Sequence, residues 1–262
     1  MHHHFPGALK GHDAEGATHR VLSKLGFTAE NTLFADSSCP DEVNHDDPEE
    51  DMTGLFQSRW GEIFPLAGLA GFPFTGKTGW SAFSSHCPKD GNIVILFGPH
   101  VGVDHDGTVG KVHRKGQDSS SAACGAAIGA LAAVKADKEG AGKFAAGQMD
   151  YQMDCIKSLL VPHAESIAAA ENEMTALSYK MFDLTEEFLE GILHKNWMGP
   201  NSKLTLIGRI MINCAGPKTD MFLPLKFEIR SKDGESKNLY EEAFGKGKNP
   251  HLQKSFHFKN LS

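Results

Sequence analysis

Nowhere in the 262 residues do Lys and Arg gather into a basic cluster, and the formal net charge is −7. Phosphate backbones bind clustered cations, so a nucleic-acid partner is not expected. Long hydrophobic runs are missing as well. The longest apolar stretches, residues 93–97 and 126–134, fall short of the roughly twenty residues that a membrane helix needs, so no membrane span is expected. Cysteine is sparse: Cys39, Cys87, Cys124, Cys155 and Cys214 are an odd set spread widely, not the dense even framework of a small secreted domain. A reducing compartment fits that usage better. No signal or transit peptide is visible, and there is no internal repeat. Residues 1–4 carry three histidines that resemble the remnant of a purification tag, and these are set aside from any metal argument.

What is present is ordinary for a globular protein: 40% hydrophobic and 23% charged residues, enough for a sizeable core. The length suits one α/β domain with extra elements, spanning residues 5–262. Apolar side chains at Ala17, Val21, Leu22 and Leu25 predict a first helix over residues 14–25, with Gly26 as its stop. Extended residues 32–35 follow, then a solvated acidic loop over 44–51. The run Ile93-Val94-Ile95-Leu96-Phe97 has the β-branched and aromatic character of a central strand buried on both faces. A helix opening among Ser119, Ser120 and Ser121 is expected to reach Ala136. From Gln148 onward the stripes Met149, Met153, Ile156, Leu160, Ile167 and then Met174 to Ile192 mark two long helices, the first bent near Pro162. Residues 204–214 and 221–229 are expected as strands joined by a Gly216-Pro217 turn, with an irregular polar tail after Arg230.

Three motifs that would name a function do not hold in context. The acidic loop lacks the central Gly and closing Glu of a calcium loop. Gly71-Phe72-Pro73-Phe74-Thr75-Gly76-Lys77-Thr78 matches the phosphate-loop pattern letter for letter, yet a proline-broken segment precedes it and no long helix follows, so a Gly-rich turn is the expectation. Neither H-x-E nor P-C-x-x-C occurs, which disfavours a zinc deaminase.

The candidate chemistry lies elsewhere. Cys39 and Asp41 flank Pro40 just beyond a strand, at the end where open α/β sheets place ligands. His100 stands just past the end of the central strand. Cys124 sits in the first turns of the Ala-rich helix, where the free amides and dipole lower a thiol's pKa. Taken singly, Cys39 beside a helix-capping Asp and Cys124 among small residues are equally compatible with buried, unliganded thiols. Arg59, next to Trp60, is compatible with a stacked surface cation. Taken together, Cys39, His100 and Cys124 make a Cys2His set, and three protein ligands with one open position define a catalytic zinc site. Such a metal lowers the pKa of bound water to about 7.

The segments Ala35-Asp36-Ser37-Ser38-Cys39-Pro40-Asp41-Glu42, Phe97-Gly98-Pro99-His100-Val101-Gly102 and Ser121-Ala122-Ala123-Cys124-Gly125 resemble the limiting-CO2-inducible B and C proteins of algae and diatoms, the theta-type carbonic anhydrases. That resemblance implies a β-carbonic-anhydrase-like fold: a central, mostly parallel sheet flanked by helices, with long C-terminal helices and additional strands. It further implies one Zn2+ per chain on Cys39, His100 and Cys124, with Asp41 and Arg59 as a catalytic dyad. The implied activity is reversible hydration of CO2 to bicarbonate by zinc-bound hydroxide, within a CO2-concentrating mechanism of the chloroplast. A homodimer, with hetero-assembly among related subunits, is the implied quaternary state. Against the β-class pattern, position 43 is Val rather than Arg, so Arg59 is expected to supply the cation from another segment. The competing function is a non-catalytic zinc-binding component of a CO2-concentrating assembly.

Overall fold

A computed structural model describes residues 3–47, 49–143, 149–216 and 219–246. In chain order the elements are β1 (Leu9–Lys10), α1 (Gly11–Lys24), β2 (Thr32–Ser37), α2 (Met52–Trp60), β3 (Ile63–Pro65), α3 (Gly76–Ser85), β4 (Asn92–Phe97), β5 (His100–Val103), β6 (Lys111–Val112), β7 (Ser121–Ala122), α4 (Gly125–Ala136), α5 (Lys138–Ala141), α6 (Tyr151–Leu160), α7 (Ala164–Ala168), α8 (Glu173–Ile192), β8 (Lys203–Cys214), β9 (Met221–Ser231), β10 (Ser236–Asn238) and α9 (Tyr240–Phe244). One sheet runs in the order β1-β9-β8-β4-β2-β3, with β10 on β9 and β5 on β8. Its centre, β3-β2-β4-β8 with β5, is parallel, while β9 and its neighbours are antiparallel.

The hydrophobic pattern explains the layers. Every residue of β4 is buried, as a central strand covered on both faces requires. On one face Ile93, Ile95 and Phe97 pack with α3 and α8 through Trp80 and Phe182. On the other, Val94 and Leu96 pack with α1, α2 and α9 through Leu22, Phe56 and Tyr240. Against α8, the helices α4, α6 and α7 form a third body of apolar contacts built on Leu131, Ile156, Leu160 and Ile167. Residue 208 in β8 is glycine because a Cβ there would meet the stacked rings of Phe97 and Phe182 at 2.6 to 2.8 Å. Immediately afterwards the pairing with β9 shifts from Gly208 opposite Lys226 to Arg209 opposite Pro224, passing over Leu225. Such a bulge accommodates Pro224, which has no N–H to give to the ladder.

Several expectations from the sequence need correction. His100 does not end in a loop: residues 100–103 form β5, which continues alongside β8. The serine-rich stretch does not start the helix, because Ser121 and Ala122 pair with β6 and α4 begins only at Gly125. The acidic loop is only partly solvated, since Asn44 and Glu50 are buried and Glu50 accepts a hydrogen bond from the His12 amide. The segment after Arg230 is not irregular throughout: β10 and α9 bury Leu239, Tyr240 and Phe244. Gln148 and Pro217, assigned to a helix start and a turn, lie outside the described residues. The bend near Pro162 is present as a short 3-10 turn at Val161–His163 between α6 and α7.

Candidate metal centre

Three strand ends and one helix start converge at the edge of the parallel sheet. β2 stops at Ser37, whose carbonyl accepts from the Gly98 amide and whose hydroxyl donates to the Gly71 carbonyl. Pro40 then prevents further strand, and the chain turns through a single 3-10 turn, Glu42–Asn44. The turn is locked from within: Ser38 donates to Asp36 and the Asn44 side chain donates to the Cys39 carbonyl at 2.8 Å. His100 follows the Gly98-Pro99 turn at the head of β5. Cys124 is the N-cap of α4, with extended backbone, and its carbonyl accepts the first helical bond from Ile128.

These elements bring Cys39, His100 and Cys124 together, all buried, with ligand atoms within 4.8 Å of one another. The two sulfurs are 3.8 Å apart, within hydrogen-bond reach and not joined in a disulfide. Two ligands at the usual zinc–sulfur length of 2.3 Å and a tetrahedral angle stand about 3.8 Å apart, so the observed spacing fits a tetrahedral metal.

The imidazole is also set for ligation. Its Nδ1 lies 2.8 Å from Asn213 Oδ1. The Asn213 amide nitrogen faces only acceptors, the Val43 carbonyl, Asn44 Oδ1 and Asp220 Oδ2, so its oxygen must turn to the histidine and accept from Nδ1–H. Nε2 therefore carries the lone pair. It is buried, has no hydrogen-bond partner, and faces the cysteines with Asp41 Oδ2 at 3.6 Å.

Electrostatics agree with a cation-binding role. The hydrogen bond from Cys124 holds the Cys39 thiol down at about 4, against burial. The same bond, with burial, pushes Cys124 well up, and the amides of Ala126 and Ala127 do not offset it. The expectation that the helix start alone would make Cys124 a thiolate is thus incomplete: the pair shares one proton, and a bound cation is what would displace it.

The dyad needs a larger correction. Arg59 does not reach Asp41. It lies at the exposed end of α2, 43% of its side chain in solvent, and binds Glu15 on α1 at 2.9 Å. Nor does it stack on Trp60, which is buried against His19 and Phe27. The cation on Asp41 is Arg114, whose Nη2 contacts both carboxylate oxygens at 3.0 and 2.8 Å. Its other donors go to Glu42, the Ser121 hydroxyl and the Ala122 carbonyl, which ties the Asp41 turn to the strand leading into Cys124. Burial works to raise the Asp41 carboxyl, but the hydrogen bonds and charge of Arg114 act against it and Asp41 stays below its ordinary value. Arg114, Asn213 and Asp220 were all missed in the sequence.

Residues 8–231 match the family described as limiting CO2-inducible proteins B/C beta carbonic anhydrases. The chain belongs to that family. The crystal structure of PtLCIB4, a homolog of the limiting CO2-inducible protein LCIB, superposes with a TM-score of 0.81 at 30% identity, covering 90% of this chain and 97% of that one. LCIB itself superposes at 0.67 with 20% identity over 90% of this chain and 95% of its own, a likeness of fold alone. Comparison with curated proteins yields no significant match. The LCIB-type α/β fold foreseen from the motifs is therefore the fold observed, and the family is carbonic-anhydrase-like.

Proposed function

We propose that the protein is a zinc-dependent carbonic anhydrase that interconverts CO2 and bicarbonate. The observation that carries the reading is the buried Cys39–His100–Cys124 cluster with a clamped, ionised Asp41 at its edge. Cys39 Sγ, Cys124 Sγ and His100 Nε2 would hold the metal, and a zinc with three protein ligands supplies a nucleophilic oxygen from water at neutral pH.

The remaining roles belong to the chain. Asn213 keeps the histidine in the Nδ1–H tautomer, so that Nε2 stays free to ligate. Asp41 can only accept hydrogen bonds while ionised, and at the edge of the cluster it would hold the hydrogen of the attacking oxygen so that a lone pair faces the CO2 carbon. Arg114 grips both carboxylate oxygens and so keeps Asp41 from turning onto the metal. Beside His100 and Cys124, the pocket is walled by Ala127, Ile128, Met174, Leu177 and Met181 with Ser178 among them, a mostly apolar lining that suits a non-polar triatomic substrate.

A homodimer, with hetero-assembly among related subunits, belongs to the same proposal, as does a place in a chloroplast CO2-concentrating mechanism. Both rest on the family. Among the described residues no helix is long and apolar enough to cross a membrane. The test is stopped-flow CO2 hydration by the full chain, before and after a chelator strips the metal and zinc is restored. Activity that disappears and returns with one zinc per chain supports the enzyme. A zinc-replete chain without hydration activity would instead favour the non-catalytic component.

A further inference from the structure

One charged side chain is buried as deeply as Asn213 and has not yet been assigned a role. Arg209, in the middle of β8, is 1% exposed, and a guanidinium in that position is tolerable only if its donors are satisfied and a counter-charge is near. The two turns that carry candidate ligands supply partners for both terminal nitrogens and Asp36 supplies the counter-charge, while Nε is left without a hydrogen-bond partner. Nη1 donates to the carbonyls of Gly98 and Pro99, at 3.1 and 3.4 Å, which lead directly into His100. Nη2 donates to the hydroxyl of Ser38, the residue before Cys39. Ser38 in turn donates to Asp36 at 2.6 Å, and Thr53 reaches the same carboxylate at 3.3 Å. The backbone supports the arrangement: Gly98 has φ +133, and a Cβ there would meet the Arg209 carbonyl at 1.9 Å, so the His100 turn rests directly on β8 at this residue.

We infer that Arg209 is a positioning residue of the metal centre, whose forked guanidinium fixes the spacing between the Cys39 turn and the His100 turn and thereby sets metal affinity. The inference rests on the ligand set proposed above. Two donor directions are essential to it. An ammonium at the end of a lysine stem is a point charge and does not present the planar fork that serves Ser38 and the Gly98-Pro99 carbonyls together.

The test uses the full chain and three variants, Ser38→Ala, Arg209→Lys and Arg209→Met. Ser38→Ala removes the Arg209 link to the Cys39 turn together with the hydroxyl's bond to Asp36, and leaves the bonds to Gly98 and Pro99. Zinc Kd is read by competition with a chelator, coordination geometry by the visible bands of the cobalt(II)-substituted protein, and fold stability by denaturant titration of the metal-free chain. Ser38→Ala and Arg209→Lys are expected to weaken zinc binding by about 10 to 100-fold, the usual cost of losing a group that orients a ligand, and to shift the cobalt bands. Reduced stability with unchanged zinc Kd and an unchanged cobalt spectrum would show a purely structural residue and overturn the inference. If the Arg209 variants fail to fold, Ser38→Ala alone decides between those outcomes. A parent chain that binds no zinc would overturn the ligand set itself, and this inference with it, which is a separable result.

Discussion

Arg114, 73 positions from Asp41, joins the Asp41 turn to the strand that leads to Cys124 through one guanidinium. Arg114→Met is expected to keep bound zinc, because no ligand is touched, and to lower CO2 hydration by about 10 to 100-fold. Arg59→Ser, which removes only the contact with Glu15, is expected to stay close to the parent. The reverse pattern in stopped-flow assays would return the dyad to Arg59. No local pattern in the sequence distinguishes the two arginines, since which one reaches Asp41 is decided by the β6–β7 pairing, and that pairing is only two residues long on each strand. Asp220 is a second residue with a measurable signature. Burial pushes its carboxyl up to about 7, against the bonds it accepts from Asn213 and Cys214. Between the ordinary carboxyl range near 4 and about 7, the folded chain keeps a proton that the unfolded chain has lost, so stability falls as pH rises through that window, by at most about 1.4 kcal/mol per pH unit. In Asp220→Asn the denaturant midpoint should vary less steeply across the same window. An unchanged slope would contradict the assignment.

At the scale of elements, the literal phosphate-loop match has a structural explanation. The strand before it, β3, is a three-residue edge strand, and α3 after it has ten residues. Gly71 has φ +83, and a Cβ on it would meet the Gly98 carbonyl at 2.6 Å and the Ser37 carbonyl at 3.3 Å, so it is glycine in order to pack on the turns of the candidate centre. Lys77 is exposed. Gly71→Ala is therefore expected to lower both thermal stability and zinc content, whereas Lys77→Ala should leave both at parental values. Calorimetry with ATP and magnesium should show no binding. Nucleotide affinity that is lost in Lys77→Ala would restore the phosphate-loop reading. The long elements were legible because burial imposes a pattern on them: β4, β8, β9 and α8 appear close to the residues that periodicity marks. Short elements were not. β5, β6 and β7 are held by tertiary neighbours rather than by their own sequence, and α9 forms because Tyr240 and Phe244 cover β9.

For the whole molecule, the sequence supplied the candidate ligands but not the paths by which they meet. Cys39, His100 and Cys124 are separated by 61 and 24 positions; the parallel pairing of β2 and β4 brings the first two turns together, and the bond from the Gly102 amide to the Ala123 carbonyl carries Cys124 to them. The partner that fixes the histidine, Asn213, comes from the far end of β8 and carries no motif. A homodimer is expected in solution, and a monomeric mass by light scattering at micromolar concentration would count against it. The central claim is that one zinc sits on two sulfurs and one imidazole with a fourth position open to water, and zinc K-edge X-ray absorption of the full chain tests it most directly. The expected spectrum has two sulfur scatterers at about 2.3 Å and two nitrogen or oxygen scatterers at about 2.0 to 2.1 Å. A first shell without sulfur, or one of four sulfurs, would contradict it.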